Sequence, residues 1–126
     1  MLKQYVRHLH PRIETLLEYH QRPLTIIYPE PRNLPDFVIH HTGSVAIRLT
    51  HDPFCRQIIS TFGKPIVSTS ANISGQSFSG HFGAVSSEII IGVDYVVRHR
   101  QKEKVTALPS VIMRMSDDEE LEVIRG

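Results

Sequence analysis

Apolar positions along the chain switch repeatedly between a helical and an extended rhythm. Over residues 11–21, PRIETLLEYHQ, Ile13, Leu16 and Leu17 recur at spacings of three and four, which puts them on one helix face. Pro11 suits the first helical position, where its missing N–H costs nothing, and Arg22-Pro23 ends the segment. LTIIYP then predicts a buried strand, closed by Pro29 and Pro31. From Glu30 to Gly43 the pattern is that of a loop, with a short turn near Pro35-Asp36-Phe37.

SVAIRL, residues 44–49, sets Val45, Ile47 and Leu49 against Ser44, Ala46 and Arg48, a period of two that predicts a strand with one small or polar face. A second helix follows: Asp52 is placed to cap it, Pro53 opens it, Phe54, Ile58, Ile59 and Phe62 form its apolar stripe, and Gly63 stops it. PIVST (65–69) reads as a short buried strand, roughly 82–91 as a short helix, and DYVVRH (94–99) as a strand. SVIMRM and LEVIR read as a terminal hairpin around the acidic turn Ser116-Asp117-Asp118-Glu119. The alternation predicts an α/β (α+β) domain, a mixed, twisted open sheet with helices on both faces. No repeat or linker divides residues 1–126, so a single domain is expected.

Charge narrows the choice of partners. With 14 basic and 13 acidic side chains the formal charge is +1, so contact with a polyanion would need a local patch. RHRQKEK (98–104) is one such cluster, and a solvated loop is the commoner outcome for it. Cys55 is the single cysteine, which excludes an intrachain disulfide and suits a reducing compartment. No apolar run approaches membrane-spanning length and the start has no signal-peptide pattern, so a cytoplasmic protein without membrane contact is expected. The 8 histidines show no metal-ligand spacing and no Gly-x-Ser-x-Gly elbow occurs, so no resident metal or hydrolase triad is expected.

The chemistry concentrates in polar positions beside strands. In KPIVSTSANISG, an extended backbone places Ser68 and Ser70 on one side, Asn72 can pin the following turn, and Gly75 permits a left-handed backbone. Such a loop can form an anion-binding concavity; a polar surface turn uses the same residues. Arg48 shares the polar face of its strand with Ser44 and suits bidentate recognition of carboxylate or phosphate, although an edge-strand arginine in solvent has the same signature. Arg125 ends an apolar strand, where a terminal charge is usually solvated.

In their order and spacing, SVAIRL, KPIVSTSANISG and LPSVIMRM…LEVIRG resemble the YrdC-like family of threonylcarbamoyl-AMP synthases. RPLTIIYP resembles the family's Pro-Gly-Pro-x-Thr segment, with Arg22 in place of glycine. The resemblance implies a synthase that takes ATP (with Mg²⁺), threonine and bicarbonate to threonylcarbamoyl-adenylate and pyrophosphate, with no tightly bound cofactor. It also implies work alongside the proteins that transfer the threonylcarbamoyl group to transfer RNA. Ser44, Ser70 and Arg125 would contact the nucleotide, with Asn72 holding that loop's shape. Arg48, Ser68 and Ser110 would line the threonine or carboxylate side. The alternative is a module that binds double-stranded or transfer RNA without synthase activity.

Two departures stand out. Val111 occupies a position where the family usually has a hydroxyl, and nothing before Lys64 resembles the family's Pro-Thr-x-Thr-x-Tyr-Gly-Leu and Lys-x-Arg elements. The chain therefore reads as the C-terminal portion of a longer domain, with an inactive fragment as one outcome, and homo-oligomerisation is expected to cover its exposed strand edges.

Overall fold

The computed structural model describes residues 1–126 and separates into two compact units, Met1–Val67 with Ser110–Gly126, and Ser68–Pro109. The first unit is a four-stranded mixed sheet with helices, an α/β arrangement. Its strands are β1 (Leu24–Tyr28), β2 (Val45–Arg48), β3 (Val111–Met115) and β4 (Leu121–Arg125), in the order β2-β1-β3-β4. β1 runs antiparallel to β2 and parallel to β3, and β3 runs antiparallel to β4.

Strand β1 explains the sheet. Leu24, Ile26 and Tyr28 are buried, while Thr25 and Ile27 between them are only partly covered. Because side chains alternate along a strand, the three buried residues share one face. With Val45 and Val111 from the flanking strands, Val6 and Ile13, they form the core. Leu9, Leu16, Leu17, Ile47, Met113 and Met115 pack around it. Helix α1 (Pro11–Tyr19) contributes Ile13, and its start is capped by the His10 ring, which accepts from the Arg12 N–H at 3.1 Å. Val6 is held by a short backbone pairing, in which Arg7 N donates to the Glu30 carbonyl and Arg32 N to the Tyr5 carbonyl.

Helix α2 (Pro53–Phe62) has the expected ends: Asp52 accepts from the Cys55 N–H at 2.9 Å, and Gly63 closes it at φ +79°. Its expected apolar stripe is not buried, for Ile58 and Phe62 are exposed. PIVST forms no strand, and Ile66 and Val67 lie exposed. The reason is that a three-residue apolar run stays extended only where a ladder partner satisfies its backbone, and neither sheet edge takes a fifth strand.

The second unit contains helix α3 (Ser87–Gly92), capped by Ser86, and a single turn of tighter helix at Phe82–Ala84 in place of one helix over 82–91. DYVVRH is not a strand either: Tyr95 is 73% exposed and the segment joins no ladder. The unit is closed where Ala107 N donates to the Gly80 carbonyl at 2.8 Å. A Cβ on Gly80 would fall 2.6 Å from Thr106 Cγ2, at a φ of +78°, so only glycine fits there.

Two outcomes follow from the core. Ile26 is fully buried, so Ile26→Ala is expected to lower unfolding free energy by about 2–5 kcal/mol in urea titrations. Burial pushes the Tyr28 phenol far above its ordinary range. Above roughly pH 10 the unfolded chain therefore loses this proton while the folded chain keeps it, so stability falls as pH rises. Tyr28→Phe is expected to flatten that alkaline fall in a pH series of thermal melts.

Candidate functional site

The face of the sheet opposite the core carries the polar residues. Thr25 pairs with Arg48 on one side and with Ile112 on the other, and Ile112 pairs with Arg125. Residues paired across a ladder share a face, so Arg48, Thr25, Ile112 and Arg125 form one row across all four strands. Three inter-strand steps of ~4.8 Å separate the backbones of the two arginines by roughly 14 Å. The row therefore suits two anionic groups better than one. Ser44 precedes β2 and, by alternation with Ala46 and Arg48, belongs to the same side.

Arg125 owes its place to an irregularity. Glu122 pairs with Arg114 and Val123 with Met113, yet the next pair is Arg125 with Ile112, so Ile124 is an extra residue in β4. Without this bulge, simple alternation would carry Arg125 to the core face. Leaving Ile124 without a partner keeps Arg125 on the open face.

Once there, Arg125 is fixed. Its Nε and Nη2 donate to the Ser110 carbonyl at 3.0 and 2.7 Å, and Nη2 also donates to Ser110 Oγ at 3.1 Å. Ser110 Oγ lies 2.8 Å from Thr25 Oγ1, a contact that joins positions 85 residues apart. Thr25, Ser110 and Arg125 thus form a continuous hydrogen-bonded group, with the Nη1 amino group of Arg125 uncommitted to it. Chemically the corner offers what an oxyanion needs: a guanidinium oriented by a carbonyl, beside two hydroxyls. On the neighbouring row the Arg114 guanidinium donates to Glu122 at 2.8 Å, which neutralises that pair.

The structure therefore brings Ser110 and Arg125 into contact and sets Arg48 and Ser44 on their face of the sheet. Thr25 was missed as a site residue; its signal was a lone hydroxyl residue alternating with Leu24, Ile26 and Tyr28. Ser68, Ser70 and Asn72 belong to the second unit. There Ser68 and Ser70 are exposed, and Asn72 Nδ2 donates to the Ile73 and Gln76 carbonyls at 3.1 and 3.2 Å. Asn72 does pin the turn, which Gly75 completes at φ +83°, and Ser79 Oγ closes the loop on the Ala71 carbonyl at 2.9 Å. Asn72 Oδ1 is buried without a partner, an acceptor available to a donor group.

Two grooves of the first unit lie elsewhere, one between α1 and Leu121 and one between the N-terminal turn and Leu49, and neither is lined by an expected site residue. No group of three or more His, Cys, Asp and Glu side chains could hold a metal ion. No helix is long and apolar enough to cross a membrane.

Several relatives of the chain share one name. A protein named threonylcarbamoyl-AMP synthase from Pseudoalteromonas translucida is 32% identical over 74 residues, 59% of this chain and 40% of the relative. Proteins of the same name from Escherichia coli K12 and Shigella boydii are each 37% identical over 62 residues, 49% of this chain and 33% of theirs. The matched part is thus well under half the length of these relatives. No solved structure matches the chain. The Sua5/YciO/YrdC family profile, described as telomere recombination, matches residues 1–126 from end to end. The chain belongs to the Sua5/YciO/YrdC family.

Proposed function

We propose that this protein takes part in forming threonylcarbamoyl-adenylate from ATP, threonine and bicarbonate, the activated group destined for an adenosine of transfer RNA. The observation that carries this reading is the Thr25–Ser110–Arg125 corner, in line with Arg48 on one open face. Threonine and bicarbonate condense, with loss of water, to an N-carboxylate, whose oxygen attacks the α-phosphate of ATP. The bond to the β-phosphate bridging oxygen breaks and pyrophosphate leaves. Both reactants are anions, so the residues' task is to hold them together and offset their charge. Mg²⁺ arrives with ATP as part of the substrate.

In this reading Arg125, locked on Ser110, presents its remaining N–H donors to the nucleotide, which Ser44 meets from the far end of the same face. Arg48 and Ser110 take the carboxylate side. Within the second unit, Ser68 and Ser70 are exposed hydroxyls beside the turn that Asn72 keeps folded. None of these roles needs a proton transfer by a side chain, in keeping with a set of residues rich in hydroxyls and guanidinium groups.

The test is release of pyrophosphate from ATP that depends on both threonine and bicarbonate. Arg125→Ala is expected to lower it at least about tenfold, the loss of one charge-assisted contact. Deletion of Ile124 removes the bulge and leaves Arg125 opposite Ile112 by plain alternation, so it is expected to keep most of the turnover that Arg125→Ala loses. Turnover unchanged in Arg125→Ala would remove the corner from the chemistry.

A second copy of the chain is proposed to cover the apolar surface of the first unit, where Phe62 is 61% and Val67 65% exposed. Sedimentation equilibrium is expected to show self-association that Phe62→Glu weakens; a monomer at all concentrations would refute it.

A further inference from the structure

Ser44 is the last member of a short polar chain. Thr42 N donates to His40 Nδ1 at 3.3 Å, and Thr42 Oγ1 lies 2.8 Å from the same nitrogen. Ser44 Oγ lies 3.1 Å from Thr42 Oγ1. The backbone holds the three together, since His40 N donates to the Ser44 carbonyl and Gly43 N to the His40 carbonyl, both at 2.8 Å.

Each hydroxyl has a single proton to give, so the state of the imidazole dictates the direction of the whole chain. An Nδ1 that accepts from Thr42 N–H carries a lone pair. The Thr42 hydroxyl then donates to it as well, and the Thr42 oxygen accepts from Ser44. Ser44 has spent its proton inward and offers an anion only lone pairs. With a proton on Nδ1 the bond from Thr42 N–H is lost and the two hydroxyl bonds reverse: His40 donates to Thr42 Oγ1, Thr42 donates to Ser44, and the Ser44 O–H turns outward.

We propose that His40 is a positioning residue which, through Thr42, sets the direction of the Ser44 hydroxyl, so that an anion at Ser44 binds together with a proton on His40. The inference rests on the reading that Ser44 faces a nucleotide phosphate. The ionisable group in contact with His40 is the imidazole of His41, with ring centroids 3.9 Å apart and planes tilted by 40°. Its side-chain hydrogen-bond partner, Thr42, is uncharged, as is Ser44 beyond it. A second positive charge on the His40–His41 pair is opposed by the first, so one proton is linked to one anion.

The sign is fixed by linkage. Anion affinity rises as pH falls through the titration of His40, by up to about tenfold per pH unit for one coupled proton. Sulfate is the probe, because its charge is constant across neutrality, followed through the amide signals of Gly43 and Ser44 by NMR. Sulfate affinity is expected to drop several-fold between slightly acidic and slightly alkaline solution. In the sulfate-free protein, neutral His40 is expected as the Nε2–H tautomer.

Thr42→Val keeps the shape and the imidazole but breaks the relay, and is expected to flatten the pH dependence. An unchanged slope in that variant would reduce His40 to a bare positive charge and overturn the relay. So would an Nδ1–H tautomer. If neither sulfate nor ATP moves the Ser44 signals at any pH, the nucleotide reading of Ser44 fails. The relay is then decided on the sulfate-free protein: an Nε2–H tautomer whose titration Thr42→Val displaces supports it, and an undisplaced titration refutes it.

Discussion

A strand cannot bury every second side chain without committing the ones between. Leu24, Ile26 and Tyr28 of β1 face the core, and that packing alone obliges Thr25 to look the other way. Because β1 is paired along both edges, the obligation passes sideways, to Arg48 on β2 and to Ile112 and Ser110 around the start of β3. Hydrophobic burial on one face thus sets the register, and the register sets which polar groups meet on the other. A one-residue slip of β1 would put Thr25 into the core and Ile26 among the arginines. The polar face and the core are therefore maintained by the same contacts.

Features settled by near neighbours were legible in the sequence. Asp52 and Gly63 mark the ends of α2, Pro11 marks the start of α1, and alternation marks β1 and β2, since each signal acts within a few residues of its cause. The turn built by Asn72 and Gly75 is local in the same way. PIVST and DYVVRH failed because a short apolar run needs a partner strand from elsewhere in the chain, and no local pattern reports whether one exists. The exposure of Ile58 and Phe62 has the same origin: a stripe states what a helix can bury, not what it meets. Thr25 escaped notice because its partner, Ser110, is 85 positions away.

Arg125 shows how much a site can hang on one residue that does no chemistry. Read by alternation from Leu121, the terminal arginine belongs with the core, an untenable place for a guanidinium lacking a buried counter-charge. Ile124 resolves this by occupying a position in β4 that has no partner in β3, so that Arg125 emerges opposite Ile112. The bulge weakens the ladder locally, and the three donations from Arg125 to Ser110 restore hydrogen bonding at that corner. Holding the guanidinium to a backbone carbonyl also removes rotamer freedom before any ligand arrives, so less ordering remains to oppose binding. Val111 is buried on the core side and takes no part in that corner. Its neighbour Ser110 carries the contact alone, which makes the Thr25 hydroxyl beside it the natural second donor to any oxyanion that Arg125 attracts.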